Sequence, residues 1–254
     1  MSDRAESSDK RDSKRRFGAR AQSYAAHRPA YPPAAIDAAL RGLGDSKALT
    51  VADVGAGTGI SSRLFAQRCA AVIAVEPNER MRAQAQPQQN IEWRDGSAQQ
   101  TNLDDNHVDL VTICQAFHWF ATPEAMLELA RVARRRVALL QYERDERDPF
   151  TRAYGDVVRA YATDDTEALR ARALEVFARF PNARVARHGA EFAQPLDREG
   201  LLGRAASSSY LPAEGERAGA LRRDLNALFD RYARDGEVTM KMIAHVMTAD
   251  LLPS

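Results

Sequence analysis

The feature that most constrains this sequence is a run of alternating glycines, Gly55, Gly57 and Gly59, between two segments of different character. Residues 49–54 are apolar enough to form a buried strand, whereas the residues from Ile60 onward are typical of a helix. Glycine in a strand-to-helix turn permits a positive φ and lets a ligand approach the backbone closely. The sequence therefore predicts a ligand-binding turn at this position.

The spacing of these glycines excludes two common phosphate-binding turns. A P-loop would need Lys and then Ser or Thr after its last glycine, but Ile60 follows Gly59. A dinucleotide-binding G-x-G-x-x-G turn would need a glycine at position 60. What remains is D-x-G-x-G-x-G, beginning at Asp53, with Glu76 at the end of the next apolar segment. A carboxylate at a strand end accepts hydrogen bonds from ribose hydroxyls in dinucleotide sites, so a nucleoside ligand is favoured.

Apolar and helix-forming segments alternate as far as Tyr142. The predicted strands are continuously apolar, which is typical of a parallel sheet covered on both faces. These strands lie at residues 49–54, 71–75, 91–94, 108–114 and 136–141, and the helices between them at 60–68, 79–86 and 123–133. We therefore expect an α/β fold, a Rossmann-like doubly wound and mostly parallel seven-stranded sheet with helices on both faces.

The alternation changes after Tyr142, where two helices follow each other without an intervening strand. They are predicted at residues 149–161 and 167–180, and a strand at 184–192 comes next. Helices at 198–207 and 218–234 and a last strand at 238–246 complete the pattern. This order predicts a helical insertion after the fifth strand, at the carboxyl edge where α/β sheets bind ligands.

The predicted organisation is one domain preceded by a tail. Residues 1–15 mix serine with both signs of charge, which favours disorder. The domain at 16–254 is divided into an N-terminal helical cover at 16–43, a cofactor-binding core at 44–142, a helical lid at 143–183 and a C-terminal part at 184–254 that completes the sheet.

Composition limits the partners and the compartment. The net charge is +1, so no global field attracts nucleic acid or an acidic membrane. No segment approaches the roughly 18 apolar residues of a membrane span, and the charged N-terminal segment lacks the apolar stretch of a signal peptide. Cys69 and Cys114 have no metal-like spacing and are expected to be buried thiols in a reducing compartment. We expect a cytoplasmic monomer or homodimer with no metal, since no ligand spacing links His27, His107, His188 and His245.

The glycine pattern with Glu76 resembles the class I S-adenosylmethionine-dependent methyltransferases, in particular the methyltransferase type 11 group and the trans-aconitate methyltransferase-like proteins. "IEWRDGSAQQTNL" is similar to the third-strand segment of this family, and "HVDLVTICQAFHWF" is similar to its fourth strand and exit. The resemblance covers about residues 17–142 and, less closely, "SSSYLP" and the final strand. In one departure, the family's Lys-Pro-Gly-Gly turn before the fifth strand is replaced by "ARVARRRVALL", which predicts a shortened turn.

The resemblance implies S-adenosylmethionine as the cofactor and a small-molecule acceptor, with a carboxylate-bearing metabolite as one option. It places Glu76 on the ribose, and Ser97 with the backbone of Ala98 on the adenine, although Asp95 is an alternative partner for the exocyclic amine. The full set of residues assigned to the cofactor is Asp53, Gly55, Gly57, Gly59, Glu76, Pro77, Met81, Asp95, Ser97, Ala98, Gln115 and Arg28.

The segment "QAFHWF" after the fourth strand is expected to approach the methyl group. Gln115 ends the strand near the sulfonium. His118 is the candidate catalytic base if the acceptor must lose a proton, with Tyr142 in reserve. A histidine that only hydrogen-bonds beside the adenosine is the alternative role for His118. Trp119 is assigned to substrate binding, although packing on the cofactor is also open to it.

A second cluster lies in "YAAHRPAYP", which resembles the segment that folds over the cofactor in this group. Tyr24 and Tyr31 are assigned to substrate binding, together with Tyr210 from "SSSYLP". Arg28 is expected to pair with a carboxylate, because guanidinium binds carboxylates bidentately. That carboxylate is either the cofactor's own or one on an acidic substrate.

Three other functions stay open from the sequence. One is a methyltransferase acting on a macromolecule, and another is a protein that binds the cofactor without catalysis. The third is an enzyme of the same fold that uses the sulfonium differently, by transferring another carbon or by cyclising the aminobutyryl chain.

Overall fold

The computed structural model of this protein describes residues 28–252. Seven strands lie in this range: β1 Thr50–Val54, β2 Ala71–Val75, β3 Ile91–Arg94, β4 Val108–Cys114, β5 Ala133–Arg144, β6 Ala183–Leu196 and β7 Val238–Leu251. They form a single seven-stranded sheet in the order β3-β2-β1-β4-β5-β7-β6. The expected α/β fold with a seven-stranded, mostly parallel sheet is confirmed.

Eight α-helices accompany the sheet in the described part of the chain. They are α1 Pro33–Leu40, α2 Ile60–Ala66, α3 Glu79–Arg82, α4 Pro123–Val132, α5 Pro149–Tyr161, α6 Thr166–Phe177, α7 Arg198–Ala206 and α8 Gly215–Tyr232. Two short 3-10 helices lie at Ser46–Ala48 and Phe117–Trp119.

The register of the central strands determines where a ligand can bind. β1 pairs in parallel with both β2 and β4, and β4 pairs in parallel with β5. Val54 lies opposite Val75, and Asp53 lies opposite Thr112, so β1, β2 and β4 end close to one level, whereas β5 continues to Arg144. Because the strand order reverses between β1 and β4, a crevice is expected outside their carboxyl ends.

The core of the sheet explains why its strands are continuously apolar. Leu110, Ile113 and Leu139 have no more than 1% of their surface exposed, because helices cover the central strands on both faces. α4 begins at Pro123 after Thr122, whose side chain accepts a hydrogen bond from a backbone N–H of the first turn.

The start of β5 and the end of α3 can be compared with the predictions from the sequence. β5 begins at Ala133, directly after α4 ends at Val132, so the shortened turn predicted from "ARVARRRVALL" is confirmed. α3 ends at Arg82, earlier than the predicted residue 86. Beyond it the backbone N–H groups of Gln84 and Ala85 donate to carbonyls three residues back, which forms a tighter turn before the chain reaches a proline.

The chain divides into two compact units. The first, called here the core unit, comprises Ala30–Glu143, Thr166–Phe192 and the described residues 242–252. The second unit comprises Arg144–Asp165 and Ala193–Lys241, together with the described residues Arg28 and Pro29.

The predicted lid at 143–183 is shared between these units. α6 belongs to the core unit, where the ring of Phe177 packs edge-on against Phe117 with centroids 5.6 Å apart. α5 belongs to the second unit, where the Tyr161 hydroxyl donates to the Asp224 carboxylate on α8 at 2.6 Å. The predicted tail at 1–15 and residues 16–27 of the predicted cover lie outside the described residues.

Candidate active site

The predicted ligand-binding turn, residues 55–59, is called here the glycine turn. Gly55 and Ala56 both donate their backbone N–H to the Val75 carbonyl of β2, at 2.8 and 3.2 Å. Gly55 has a φ of 74°, and a Cβ added to it would lie 2.7 Å from the Cβ of Ala116. The glycine turn and the segment after β4 are therefore in direct contact, and a side chain at position 55 does not fit between them.

Glu76 follows β2, and the chain itself orients its buried carboxylate. One oxygen accepts from the Gly57 N–H and the other accepts from the Asn78 N–H, each at 2.9 Å. A carboxylate oxygen can accept more than one hydrogen bond. This arrangement holds Glu76 beside the glycine turn in an orientation that suits two vicinal hydroxyls.

Asp53 is fully buried beneath the glycine turn. One carboxylate oxygen accepts from the hydroxyls of Ser61 and Ser62, at 2.7 and 2.6 Å, and the other accepts from Thr112 at 3.3 Å. Burial raises the pKa of this carboxyl, although the hydrogen bonds from Ser62, Ser61 and Thr112 oppose the shift. These bonds join β1 to the first turn of α2 and to β4. Direct contact of Asp53 with a cofactor stays a prediction.

The residues predicted to surround the adenine lie in the loop after β3. Asp95 is exposed and forms an ion pair with Arg82 at 3.3 Å. The Ser97 hydroxyl accepts from the Gln100 N–H at 3.2 Å, and Ala98 is buried. Both predicted partners for the adenine, Ser97 with Ala98 or Asp95, are still open.

A carboxylate on α4 fixes this loop. Glu128 accepts from the backbone N–H and the hydroxyl of Thr101, at 2.8 and 2.6 Å, and from the guanidinium of Arg131. Burial by itself would raise the pKa of Glu128, but the hydrogen bonds from Arg131 and Thr101 outweigh it and hold the pKa at about 2. Glu128 is therefore ionised at neutral pH and anchors the loop.

Two further residues that are predicted to bind the cofactor lie close to the glycine turn. The Met81 side chain is buried, and its terminal methyl group lies 3.3 Å from the position of a Cβ built on Gly57. Pro77 is partly buried between Glu76 and the start of α3. Their contact with a ligand stays a prediction.

The segment at residues 115–120, called here the β4 exit, begins with a strained residue. Gln115 has a φ of 57°, in the left-handed region that costs a non-glycine residue on the order of 1–3 kcal/mol. Its N–H donates to the Leu140 carbonyl at 2.9 Å, and its side-chain amide donates to the Tyr142 carbonyl at 3.4 Å. The surrounding contacts thus fix the conformation of Gln115.

Two polar atoms beside the crevice are buried and lack a hydrogen-bond partner among residues 28–252. They are the side-chain oxygen of Gln115 at the β4 exit and the hydroxyl oxygen of Thr58 in the glycine turn. Buried polar atoms normally have partners, so both positions are suited to a polar ligand. Sequence analysis missed Thr58, although its place between two of the glycines is the signal that could have identified it.

The candidate catalytic residues are buried in the core unit. The ring of His118 lies 4.7 Å from the ring of Trp119, centroid to centroid. Tyr142 packs edge-on against Tyr31 at 5.5 Å and against Phe192 at 5.8 Å. The catalytic roles of His118 and Tyr142, and substrate binding by Trp119, stay predictions.

The four residues assigned to the N-terminal and C-terminal clusters have different outcomes. The Tyr31 hydroxyl donates to the Leu140 carbonyl of β5 at 2.7 Å, so this residue ties the segment before α1 to the sheet. Arg28 and Tyr210 belong to the second unit, where an Arg28 N–H donates to the Ser207 carbonyl at 3.5 Å. Tyr24 lies outside the described residues.

Within residues 28–252, the structure bears on metal binding, on membrane spanning and on the state of the two cysteines. No group of three or more His, Cys, Asp or Glu side chains within them is arranged to hold a metal ion. None of their helices is both long and apolar enough to cross a membrane. Cys69 and Cys114 are free and buried, as expected, and burial raises the pKa of the Cys69 thiol to about 11.

Comparison with known proteins shows which family this chain is similar to. A family model described as a methyltransferase domain matches residues 52–140. An uncharacterized methyltransferase of Mycobacterium tuberculosis is 35% identical over 205 residues, which cover 79% of this chain and 79% of that protein. An uncharacterized methyltransferase-like protein of Schizosaccharomyces pombe is 32% identical over 145 residues, covering 56% of this chain and 57% of that protein.

Solved structures have the same fold. A candidate type II methyltransferase from Anaeromyxobacter dehalogenans is 21% identical, with a TM-score of 0.62 over 89% of this chain and 99% of that one. A candidate methyltransferase from an antibiotic biosynthesis pathway of Anabaena variabilis is 25% identical, with a TM-score of 0.60 over 84% of this chain and 95% of that one.

Proposed function

We propose that this chain, which belongs to the S-adenosylmethionine-dependent methyltransferases, transfers a methyl group to a small-molecule acceptor. Its cofactor is S-adenosylmethionine, as in the rest of that family. The proposal concerns what the family alone leaves open, namely the class of acceptor and the residues that carry out the reaction.

The observation that carries this proposal is the contact between the glycine turn and the β4 exit. A Cβ on Gly55 would collide with Ala116, so backbone rather than side chains lines this part of the crevice. Glu76 presents an oriented carboxylate there, and Gln115 and Thr58 supply buried polar atoms without a partner among residues 28–252. These residues fit a nucleoside that carries hydroxyl and amino groups.

The cofactor supplies a methyl group bonded to a positively charged sulfur, and that sulfur is a good leaving group. For the chain's part, we assign Glu76 to the ribose hydroxyls and Ser97 with Ala98, or alternatively Asp95, to the adenine. We assign the side-chain oxygen of Gln115 to a donor on the amino-acid portion. Each assignment uses an acceptor where the ligand has a donor.

Acceptor activation is assigned to His118. A bond forms between the acceptor nucleophile and the methyl carbon while the carbon–sulfur bond breaks and sulfur takes the electron pair. If the nucleophile is protonated, its proton passes to the imidazole of His118, with Tyr142 as the alternative base. Because the leaving group is already activated, positioning of the two reactants carries much of the rate.

Several features support a small acceptor. His118, Tyr31 and Tyr142 are each less than 10% exposed, which favours an enclosed site over an open groove. The net charge of +1 gives no field that would recruit nucleic acid. The two buried free thiols fit a reducing compartment, and we propose a cytoplasmic location for a monomer or homodimer.

The test is incubation of the purified chain with S-adenosylmethionine and a panel of small acceptors, followed by mass spectrometry. We expect S-adenosylhomocysteine together with a methylated product, and calorimetric binding of S-adenosylhomocysteine at micromolar levels, about −8 kcal/mol. Methylthioadenosine in place of S-adenosylhomocysteine would identify cyclisation of the aminobutyryl chain instead. Methylation of RNA or protein, with none of the small molecules, would also contradict the proposal.

A further inference from the structure

Helix α6 lies against the carboxyl edge of the sheet within the core unit. Gln141, on β5, donates its side-chain amide to the backbone carbonyl of Arg170 at 3.4 Å. About two turns further along α6, the ring of Phe177 packs edge-on against Phe117 in the β4 exit. These two contacts hold α6 beside the ends of β4 and β5, the strands that carry Gln115 and Tyr142.

Arg170 lies on the face of α6 that is turned toward the protein. Thr166, Ala173 and Phe177 are buried, and Arg170 falls between them at helical spacing. The side chain of Arg170 is partly buried, and its Nε atom is completely enclosed. Arg172 on the same helix is exposed. Of these two arginines, only Arg170 has a guanidinium nitrogen, Nε, that is enclosed by protein atoms.

The enclosed Nε–H of Arg170 has no hydrogen-bond acceptor among residues 28–252. Two other arginines of the core unit have carboxylate partners. Arg131 pairs with Glu128 and Asp105, and the buried Arg136 pairs with Asp250. An enclosed cationic N–H without an acceptor costs free energy. An anion at this position would remove that cost.

We propose that Arg170 binds the carboxylate of the methyl acceptor, which makes a small carboxylic acid the substrate class. The inference rests on the proposed methyl transfer and deepens it. A guanidinium matches a carboxylate with two parallel hydrogen bonds, and partial burial strengthens that pairing relative to water. The only other carboxylate available to this chemistry is that of the cofactor's amino-acid portion, and the experiment below separates the two sources.

The experiment compares Arg170→Gln with Arg172→Gln, a matched control on an exposed position of the same helix. Calorimetry measures S-adenosylhomocysteine and methylthioadenosine, which lacks the carboxylate, against each protein. Binding and methylation of a panel of small mono-, di- and tricarboxylic acids and their methyl esters are then measured with the cofactor product or the cofactor present. Arg170→Lys serves as a second variant that keeps the charge, and thermal unfolding checks that each variant is folded.

We expect Arg170→Gln to raise the KM or Kd of the carboxylic acids at least tenfold while the affinity for S-adenosylhomocysteine changes less than threefold. The esters should bind more weakly than the acids to the wild-type protein and equally to Arg170→Gln. Arg170→Lys should recover part of the loss, since it keeps the charge but not the two parallel bonds. Arg172→Gln should behave as the wild type does.

If the affinity for S-adenosylhomocysteine falls tenfold while that for methylthioadenosine is unchanged, Arg170 binds the cofactor carboxylate and the acceptor assignment is overturned. Identical behaviour of Arg170→Gln and Arg172→Gln overturns the anion site itself, as does a wild-type protein that binds none of the acids. Failure of the proposed function would be seen separately, as a wild-type protein that does not bind S-adenosylhomocysteine at all.

Discussion

The two carboxylates beside the glycine turn have partners within the chain, whereas buried polar atoms at the β4 exit and on α6, like the Thr58 hydroxyl in the turn itself, lack partners among the described residues. Glu76 accepts from two backbone N–H groups and Asp53 from three hydroxyls. Gln115 at the β4 exit and Arg170 on α6 each have a buried polar atom that lacks a hydrogen-bond partner among those residues.

This contrast separates two kinds of binding region. The first holds its acceptors in place before any ligand arrives, which lowers the free-energy cost of ordering them on binding. The second has polar atoms that only a bound molecule can satisfy, so its free energy depends more on which ligand is present. We therefore expect Glu76 variants to change cofactor affinity and His118 variants to change turnover.

The largest effect is expected from His118→Ala, which tests the β4 exit. Turnover should fall by about 10²-fold or more if His118 removes a proton from the acceptor. Affinity for S-adenosylhomocysteine should change less than about threefold, below 1 kcal/mol. Steady-state kinetics and calorimetry on the same variant provide the two measurements, and His107→Ala, in a loop before β4, is the control.

A collapse of cofactor affinity with normal turnover at saturation would place His118 beside the adenosine. The base, if the acceptor needs one, would then lie elsewhere, and the contrast between the two regions would fail at this residue.

The next largest effect is expected from Glu76→Ala, which tests the glycine turn. Loss of the charge-assisted hydrogen bonds to the ribose should weaken S-adenosylhomocysteine binding by about 1.5–3 kcal/mol, measured by calorimetry. Turnover at saturating cofactor should change much less. Glu79→Ala, at an exposed position in the following helix, should leave affinity unchanged; equal losses in both variants would contradict a specific ribose contact.

Gly55→Ala should act on folding as well as on binding. Its φ of 74° costs an L-residue about 1–2 kcal/mol, and the added Cβ would press on Ala116. Chemical denaturation should show a lower free energy of unfolding by at least that amount. Gly189→Ala on β6 has open space around its added Cβ and no positive φ, so it should be close to neutral. A neutral Gly55→Ala would show that the contact between the turn and the β4 exit is loose.

The smallest effect is expected from Glu128→Gln, whose Tm should lie below that of the wild type above pH 4.5 and approach it in acid. The pKa of Glu128 is lowered from 4.5 to about 2, so its stabilising contribution is complete above 4.5 and is lost as the pH falls toward 2. The wild-type Tm should therefore decline more steeply than that of Glu128→Gln over this interval. An exposed control, Glu175→Gln, should keep the wild-type slope, and parallel curves for all three proteins would contradict the anchoring of the loop by Glu128.

Much of the fold could be predicted because its signals are local. The continuous apolar strands, the glycines and the proline at the start of α4 each constrain their own neighbourhood, and all five predicted strands before Tyr142 are present. The helix predicted at 79–86 was too long, since its last turn tightens before a proline. The division of the predicted lid was not visible, because the partners of α5 and α6 come from segments distant in the chain.

By itself, the sequence determined the α/β sheet, the glycine turn and the position of Glu76 at the end of β2, because backbone conformation and strand register depend on neighbouring residues. The tertiary structure decided which polar groups are satisfied. Asp53 meets hydroxyls from α2 and β4, and Arg170 is enclosed while Arg172 is exposed, through contacts between residues far apart in the chain. Since burial and hydrogen-bond partners arise only when distant segments pack, no local pattern could separate the two arginines.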